Sequence, residues 1–264
     1  MATAWLLKPL AISAASASGT ALGDPAYVSN DYAGVVWQSP AGASATLTLD
    51  LGSDQAVDSA MLFGLAGGFP ATATVQVSLA TAAQGAGFAG AWVSAAQLLL
   101  AGTAMPTSGK GVMVWAASAG APAAARYVRL TFAGLAGAAV QVARAVVGKR
   151  MQLERNFSFG ATFGAKDLGS FDLNRRGVPL RQRGKKLRTT TLTFSNVRRY
   201  ELDYQLQPLM EQLGNTETLA VLTDPAEDPQ RQNRAYFGAL AGDLGATWRK
   251  ANAFEAKLAV VSFF

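Results

Sequence analysis

Apolar and polar side chains alternate strictly at several places in the first half of the chain. In the stretch ATLTLDLG, Leu47, Leu49 and Leu51 point one way and Thr46, Thr48 and Asp50 the other, the signature of a half-buried strand. TATVQVSLA repeats this with Val75, Val77 and Leu79. RYVRLTFAG does so with Val128, Leu130 and Phe132 opposed to Tyr127, Arg129 and Thr131. The apolar runs AVDSAMLFGLAG and AVQVARAVVG predict two further strands, and the clusters QSPAGAS, GGFPA and SAGAPAA separate them as turns. No segment of this half has the 3.6-residue period of an amphipathic helix. Strands with one apolar face and no helix to cover it pack against each other, which predicts an antiparallel β-sandwich.

The second half changes period. Phe157, Phe159 and Phe163 lie amid glycines and suggest a strand leading into a loop, and the stretch RRGVPLRQRGKKLR follows. TTTLTFSNV, with Leu192 and Phe194 alternating with Thr191 and Thr193, predicts a strand. From Val197 to Leu213, Leu202, Leu206, Leu209, Met210 and Leu213 fall on one helical face, so a helix is expected over 197–213. Ser195 or Asn196 is placed to cap its start, Gly214-Asn215 to stop it, and Pro208 to kink or shorten it. TLAVLTD, AYFGALAG and FEAKLAVVSFF predict three more strands, the first ended by the turn-rich DPAEDPQ. Strands, one helix and more strands suit an α+β or barrel-like arrangement.

Length and charge divide the chain in the same way. Its 264 residues suffice for about two domains. Residues 1–148 carry five basic and five acidic side chains, whereas residues 149–264 carry 18 basic and 12 acidic ones, so the whole net charge of +6 lies in the second half. With the break at Lys149-Arg150, the expected domains are 1–149, a β-sandwich, and 150–264, a β domain with the single helix. The fold class expected is mainly β.

Composition also removes most chemistry. Cysteine and histidine are both absent, which excludes disulfides, Cys/His zinc sites, thiol nucleophiles and histidine triads. GATFGAKD (160–167) has the wrong glycine spacing for a phosphate-cradling loop and Asp167 where Ser or Thr is required. Asp224, Glu227 and Asp228 sit in a Pro-punctuated turn, where solvated acids are expected rather than a facing catalytic pair. The spacing of Asp50, Asp54 and Asp58 matches no calcium loop, so these too are expected to be surface carboxylates. The chain is therefore expected to be no enzyme and to need no metal or cofactor. At the start, Lys8 and Pro9 interrupt the apolar stretch too early for a signal peptide, and no run reaches the length of a membrane span.

The order Trp37-x-Ser39, TLTLDLG (46–52), Val57-Asp58 with AMLFGL, and a late RYVRLTF resembles the discoidin-like, galactose-binding-type sandwich over residues 25–149. That resemblance implies loops at one end of the sandwich that bind glycans or lipid head groups in some members, and a structural or adhesive role in others. The candidate sugar ligands are the loop-placed aromatics Tyr32, Trp37 and Trp92, because a sugar's apolar face stacks on an exposed ring. The competing expectation for Trp37 and Trp92 is that they fill the core.

The second half resembles the β-barrel domain of tail-tube and distal-tail proteins of long-tailed bacteriophages. The matching pieces are GVPLRQRGKKLRTTTLTF, the Leu-spaced helix ending in LGNTETLAVLTDPAEDP, an R-x-x-Y-F-G-A-L strand and a closing apolar strand. This resemblance implies a virion structural protein, assembled in the host bacterial cytoplasm. It implies a ring of six copies joining the tail tube protein to the hub and tip proteins, with host surface glycan as a further partner. Seven basic residues, Arg175, Arg176, Arg181, Arg183, Lys185, Lys186 and Arg188, then form the expected subunit-contact loop. The interleaved aromatics of a single-strand binder are missing from that run, so no specific nucleic-acid partner is expected. The reading from another class is a carbohydrate-binding adhesion module.

Overall fold

A computed structural model describes residues 3–214, 216–242 and 244–264. The chain forms two compact units. The first comprises residues up to 152 together with 220–235, and the second comprises 153–219 and 236–264. Residues 220–235, assigned from the sequence to the second half, therefore pack within the first unit.

The first unit is a β-sandwich. Its larger sheet runs in the order β2 (Ala14–Ala17), β4 (Ser44–Gln55), β10 (Ala125–Ala133), β6 (Thr74–Ala80), β7 (Trp92–Val93), with β8 (Gln97–Leu98) also on β6. The facing sheet is β12 (Arg144–Gly148), β5 (Ser59–Leu65) and β9 (Gly111–Ala116), and every named pairing is antiparallel. A short ladder joins β3 (Trp37–Gln38) to β11 (Gln141–Val142). The alternating residues named above meet in one core: Leu47, Leu49, Val75, Val77, Leu79, Val128, Leu130 and Phe132 are all buried against Leu62, Met113 and Trp115 of the facing sheet. β5 reads as a continuous apolar run and is buried along its whole length, as the central strand of its sheet must be. β1 (Trp5–Leu7) pairs antiparallel with Ala220, Val221 and Leu222 of β17 (Thr218–Leu222), which accounts for the return of 220–235 to this unit.

Two sequence motifs acquire a physical role here. In the DLG segment, Gly52 adopts φ +80°, and its N–H donates to the Asp50 carboxylate at 2.7 Å. The same carboxylate receives a two-pronged pair from Arg126, at 2.8 and 3.0 Å, so the start of the RYVRL strand is tied to the end of the DLG strand where β10 changes register on β4. In Trp37-x-Ser39, Trp37 is wholly buried and donates its indole N–H to Thr20, while the Ser39 hydroxyl accepts the Val140 N–H at 3.0 Å.

The second unit is built on an antiparallel sheet in which β20 (Ala253–Ser262) pairs along one side with β16 (Lys186–Arg198), and β16 with β13 (Thr162–Asp167). On its other side β20 meets β18 (Ala235–Leu240) and β19 (Gly245–Lys250) in turn. Leu192, Phe194, Phe237, Leu258 and Val260 are buried here. Gly238 must lack a side chain, because a Cβ there would run into the Val261 backbone carbonyl.

The helix begins at Arg199 rather than Val197, because β16 continues to Arg198. It comprises α1 (Arg199–Glu201), a π turn (Leu202–Leu206) and α2 (Gln207–Leu213). Neither Ser195 nor Asn196 caps it. Asn196 instead takes φ +58° at the irregularity in β16, and the Glu201 carboxylate reaches back to accept the Arg198 N–H at 2.8 Å. The π turn immediately precedes Pro208, whose missing N–H and bulky ring disfavour a regular α-turn at that point. The segment around 175–188, expected as a loop, is a strand pair: β14 (Ser170–Leu173) and β15 (Pro179–Gln182) form a hairpin that leads into β16.

Candidate functional site

The three aromatic candidates occupy three different environments. Trp37 is sealed in the core and has no face to offer a ligand. Trp92, on β7 opposite Leu79, is half-buried with its ring tilted against the buried Trp115 at 6.1 Å. Only Tyr32 presents its ring fully, at 75 % exposure. Its loop is fixed from both sides: the Asn30 side chain accepts the Tyr32 N–H at 2.9 Å, and Asp31 pairs at 3.1 Å with Arg144 on the first residue of β12. Arg144 is itself buried and also donates to the Val28 carbonyl. Burial holds the Arg144 guanidinium below its usual range and the neighbouring Asp31 opposes the shift, so Arg144 anchors the loop. Among the described residues no ring contact or hydrogen bond joins Tyr32, Trp37 and Trp92, so they do not form one platform.

The three aspartates are each engaged separately. Asp50 holds Arg126 and Gly52, Asp54 accepts the Ala82 N–H, and Asp58 accepts the Arg150 N–H and the Ser59 hydroxyl. Among the described residues no three acidic side chains converge as a metal site would require. The would-be phosphate loop, 160–167, is mostly the strand β13. In the turn 224–228, Asp224 and Asp228 both pair with Arg234, at 2.9 and 3.3 Å.

The basic run is the most distinctive surface. Every residue of β13, β14 and β15 is exposed, so the ribbon Ser170–Leu173/Pro179–Gln182 forms an arm with little cover on either face, reached through the pair Thr162–Asp167/Lys186–Thr191, whose β16 side is partly buried. Its tip is set by Asn174, whose side chain accepts the N–H groups of Arg176 and Val178, and by Gly177 at φ +71°. Arg175, Arg176, Arg181, Arg183, Lys185 and Lys186 are exposed there, Arg188 partly so. Lys185 donates to the Phe263 carbonyl at 2.8 Å, and Arg188 lies over the Tyr236 ring at 4.3 Å. Phe171, Leu173, Val178 and Leu180 are each more than half exposed at the tip. Residues 160–188 carry eight basic and two acidic side chains, an excess equal to the net charge of the whole chain. The alternation Phe171, Leu173 / Val178, Leu180 around Asn-Arg-Arg-Gly was the signal for a hairpin, masked by the density of charge.

No helix among the described residues is long and apolar enough to cross a membrane. No family model matches the chain, and no curated protein does. Solved structures do match, over about half of it. A chitosan-binding module from a chitosanase/glucanase of Paenibacillus sp. IK-5 is 20 % identical, covering 53 % of this chain and 98 % of that one, with a TM-score of 0.37. A family 32 carbohydrate-binding module from C. perfringens NanJ, solved with galactose, is 15 % identical over 53 % and 97 %, with a TM-score of 0.40. The lectin domain of lectinolysin, solved with Lewis B antigen, is 16 % identical over 54 % and 96 %, with a TM-score of 0.38. The chain is mainly β, and its first unit is an antiparallel β-sandwich.

Proposed function

We propose that this chain is a non-catalytic structural subunit that assembles through the arm of its second unit and carries a discoidin-like sandwich as its first. The particle that the likeness of residues 150–264 implies is a phage tail tip, with the chain as a distal-tail-like ring subunit between tube and hub. The observation that carries the reading is the arm. A two-stranded ribbon exposed on both faces is marginal alone in water, and one that also exposes Phe171, Leu173, Val178 and Leu180 gains by being covered. Its concentrated positive charge suits an acidic partner surface and fixes the register of docking. Repetition by rotational symmetry then turns one modest contact into a closed ring. Light scattering at high protein concentration, with negative-stain imaging of the same sample, tests this: rings of uniform diameter are expected, and a monomer that stays monomeric with purified tail tube and hub proteins would sink the reading.

A second reading, a carbohydrate-binding adhesion module, is favoured by Tyr32, an aromatic ring held rigidly and left open to solvent. Titrating a panel of host polysaccharides against the protein and its Tyr32→Ala and Trp92→Ala variants separates the two. Saturable binding lost in Tyr32→Ala supports the sugar reading, and the arm plays no part in that outcome.

A further inference from the structure

The first unit contains a cleft of about 510 Å³ away from Tyr32, Trp37 and Trp92, lined in part by the turn that carries Glu227 and Asp228. One wall is apolar, made by Leu98, Leu100 and Val114, and the other is the turn that carries Glu227 and Arg231. The turn is pinned rather than loose. The Gln232 N–H donates to the Ala101 carbonyl at 2.8 Å, and its side chain donates to the Ala104 carbonyl at 2.6 Å. Gly102 allows this approach, since a Cβ there would press on the Pro229 carbonyl at 2.6 Å. Arg234 pairs with both Asp224 and Asp228, and among the described residues neither Glu227 nor Arg231 in the wall makes a close ion pair.

Arg231 is the anomaly. It is half-buried, its backbone N–H donates to the Asp228 carbonyl at 3.0 Å, and its buried Nε has no hydrogen-bond acceptor among the described residues. Its guanidinium carbon lies 5.9 Å from the centre of the Trp5 ring. Burial lowers its affinity for the proton, an effect that Glu227 and Asp224 oppose. A buried Nε without an acceptor costs stability, while the terminal nitrogens, which are not sealed in the same way, remain donors for an oxygen acceptor in the cleft. A pinned, concave site with one apolar wall and a few unpaired polar groups is the usual form of a small-ligand pocket, and its size fits one.

We propose that this cleft binds a small carboxylate that also carries hydroxyl groups, a sugar acid being the simplest case. The carboxylate accepts from Arg231 in the geometry that a guanidinium matches best. A hydroxyl donates to Glu227, and the ligand's apolar face lies on Leu98, Leu100 and Val114. The inference does not rest on assembly by the arm or on sugar stacking at Tyr32.

The test is calorimetry on the full chain with glucuronate, with glucose as the neutral shape-match and acetate as the bare carboxylate. Glucuronate is expected to bind with a Kd on the order of 1 mM, and glucose and acetate each about tenfold more weakly or not at all. Arg231→Gln is expected to lose about tenfold or more of the glucuronate affinity, Arg231→Lys less, and Tyr32→Ala none. Unchanged thermal melting shows that the variants fold, and if Arg231→Gln does not, Glu227→Gln serves in its place and is expected to weaken glucuronate but not acetate. Glucose binding as well as glucuronate, full affinity in Arg231→Gln, or no saturable binding of glucuronate each overturns the proposal.

Discussion

Asp50 shows how one side chain can join two distant stretches of sequence. The hydrogen bonds from Arg126 hold its carboxyl below the usual aspartate range; burial opposes them, and the Gly52 N–H and the positive charge of Arg126 add to the lowering. A group whose folded value is depressed contributes stability above its unfolded value, about 3.9, and loses that contribution as pH falls through the folded value. Asp50→Asn should therefore lower the denaturation midpoint by a constant amount from pH 7 down to about 5, and the gap from the unsubstituted protein should close below about pH 4. Chemical denaturation across that range measures it, and a gap that persists in acid would mean that the pair acts through packing. Gly238 makes the opposite point, that an absent side chain can matter as much. Placing a methyl against the Val261 carbonyl forces β18 and β20 apart, so Gly238→Ala should cost about 1–3 kcal/mol in the same assay.

The helix was legible because its leucines keep one face over four turns, but its boundary was not. Periodicity reports which residues face the core, and Leu202, Leu206 and Leu213 do so. It does not say which group satisfies the first free N–H groups. Ser195 and Asn196 have the right chemistry at the wrong place, because β16 holds them in extended or left-handed backbone. Glu201 does the work from inside the helix, accepting the Arg198 N–H at 2.8 Å and the Glu154 N–H at 2.6 Å while only 2 % exposed. Glu201→Ala should leave two N–H groups without acceptors and cost about 1–3 kcal/mol, with Glu201→Gln recovering part of the loss through its amide oxygen. Thermal melts of the two variants decide it: equal losses would mean that the carboxylate's charge, not its hydrogen bonds, is what the helix needs. The basic run was misread for a related reason. Charge density suggests a solvated loop, but the pairing of β14 with β15 is set by the turn at Asn174 and Gly177, which is indifferent to charge.

Fold class could be read from the pattern because the first unit's strands each bury one face, and burial of alternate residues is what alternation encodes. The return of residues 220–235 to that unit could not, because pairing of β1 with Ala220–Leu222 joins segments more than 200 residues apart and leaves no periodic trace. For the same reason the cleft at Arg231 was invisible, while Tyr32, Trp37 and Trp92 were found by residue type but not sorted by burial. The arm offers the sharpest test of what the chain is for, because its fold and its interactions separate cleanly. Residues 170–183 touch little of the core, so replacing them with a short Gly-Asn turn should shift stability by no more than about 0.5 kcal/mol. The same deletion removes Phe171, Leu173, Val178, Leu180 and four arginines. If the arm covers itself on a neighbouring subunit, the truncated protein should melt as before yet scatter light as a protomer under conditions where the intact chain forms rings. If both proteins have the same mass, the contact lies elsewhere; if the truncated one unfolds, the ribbon is part of the core of the second unit rather than its reach toward a partner.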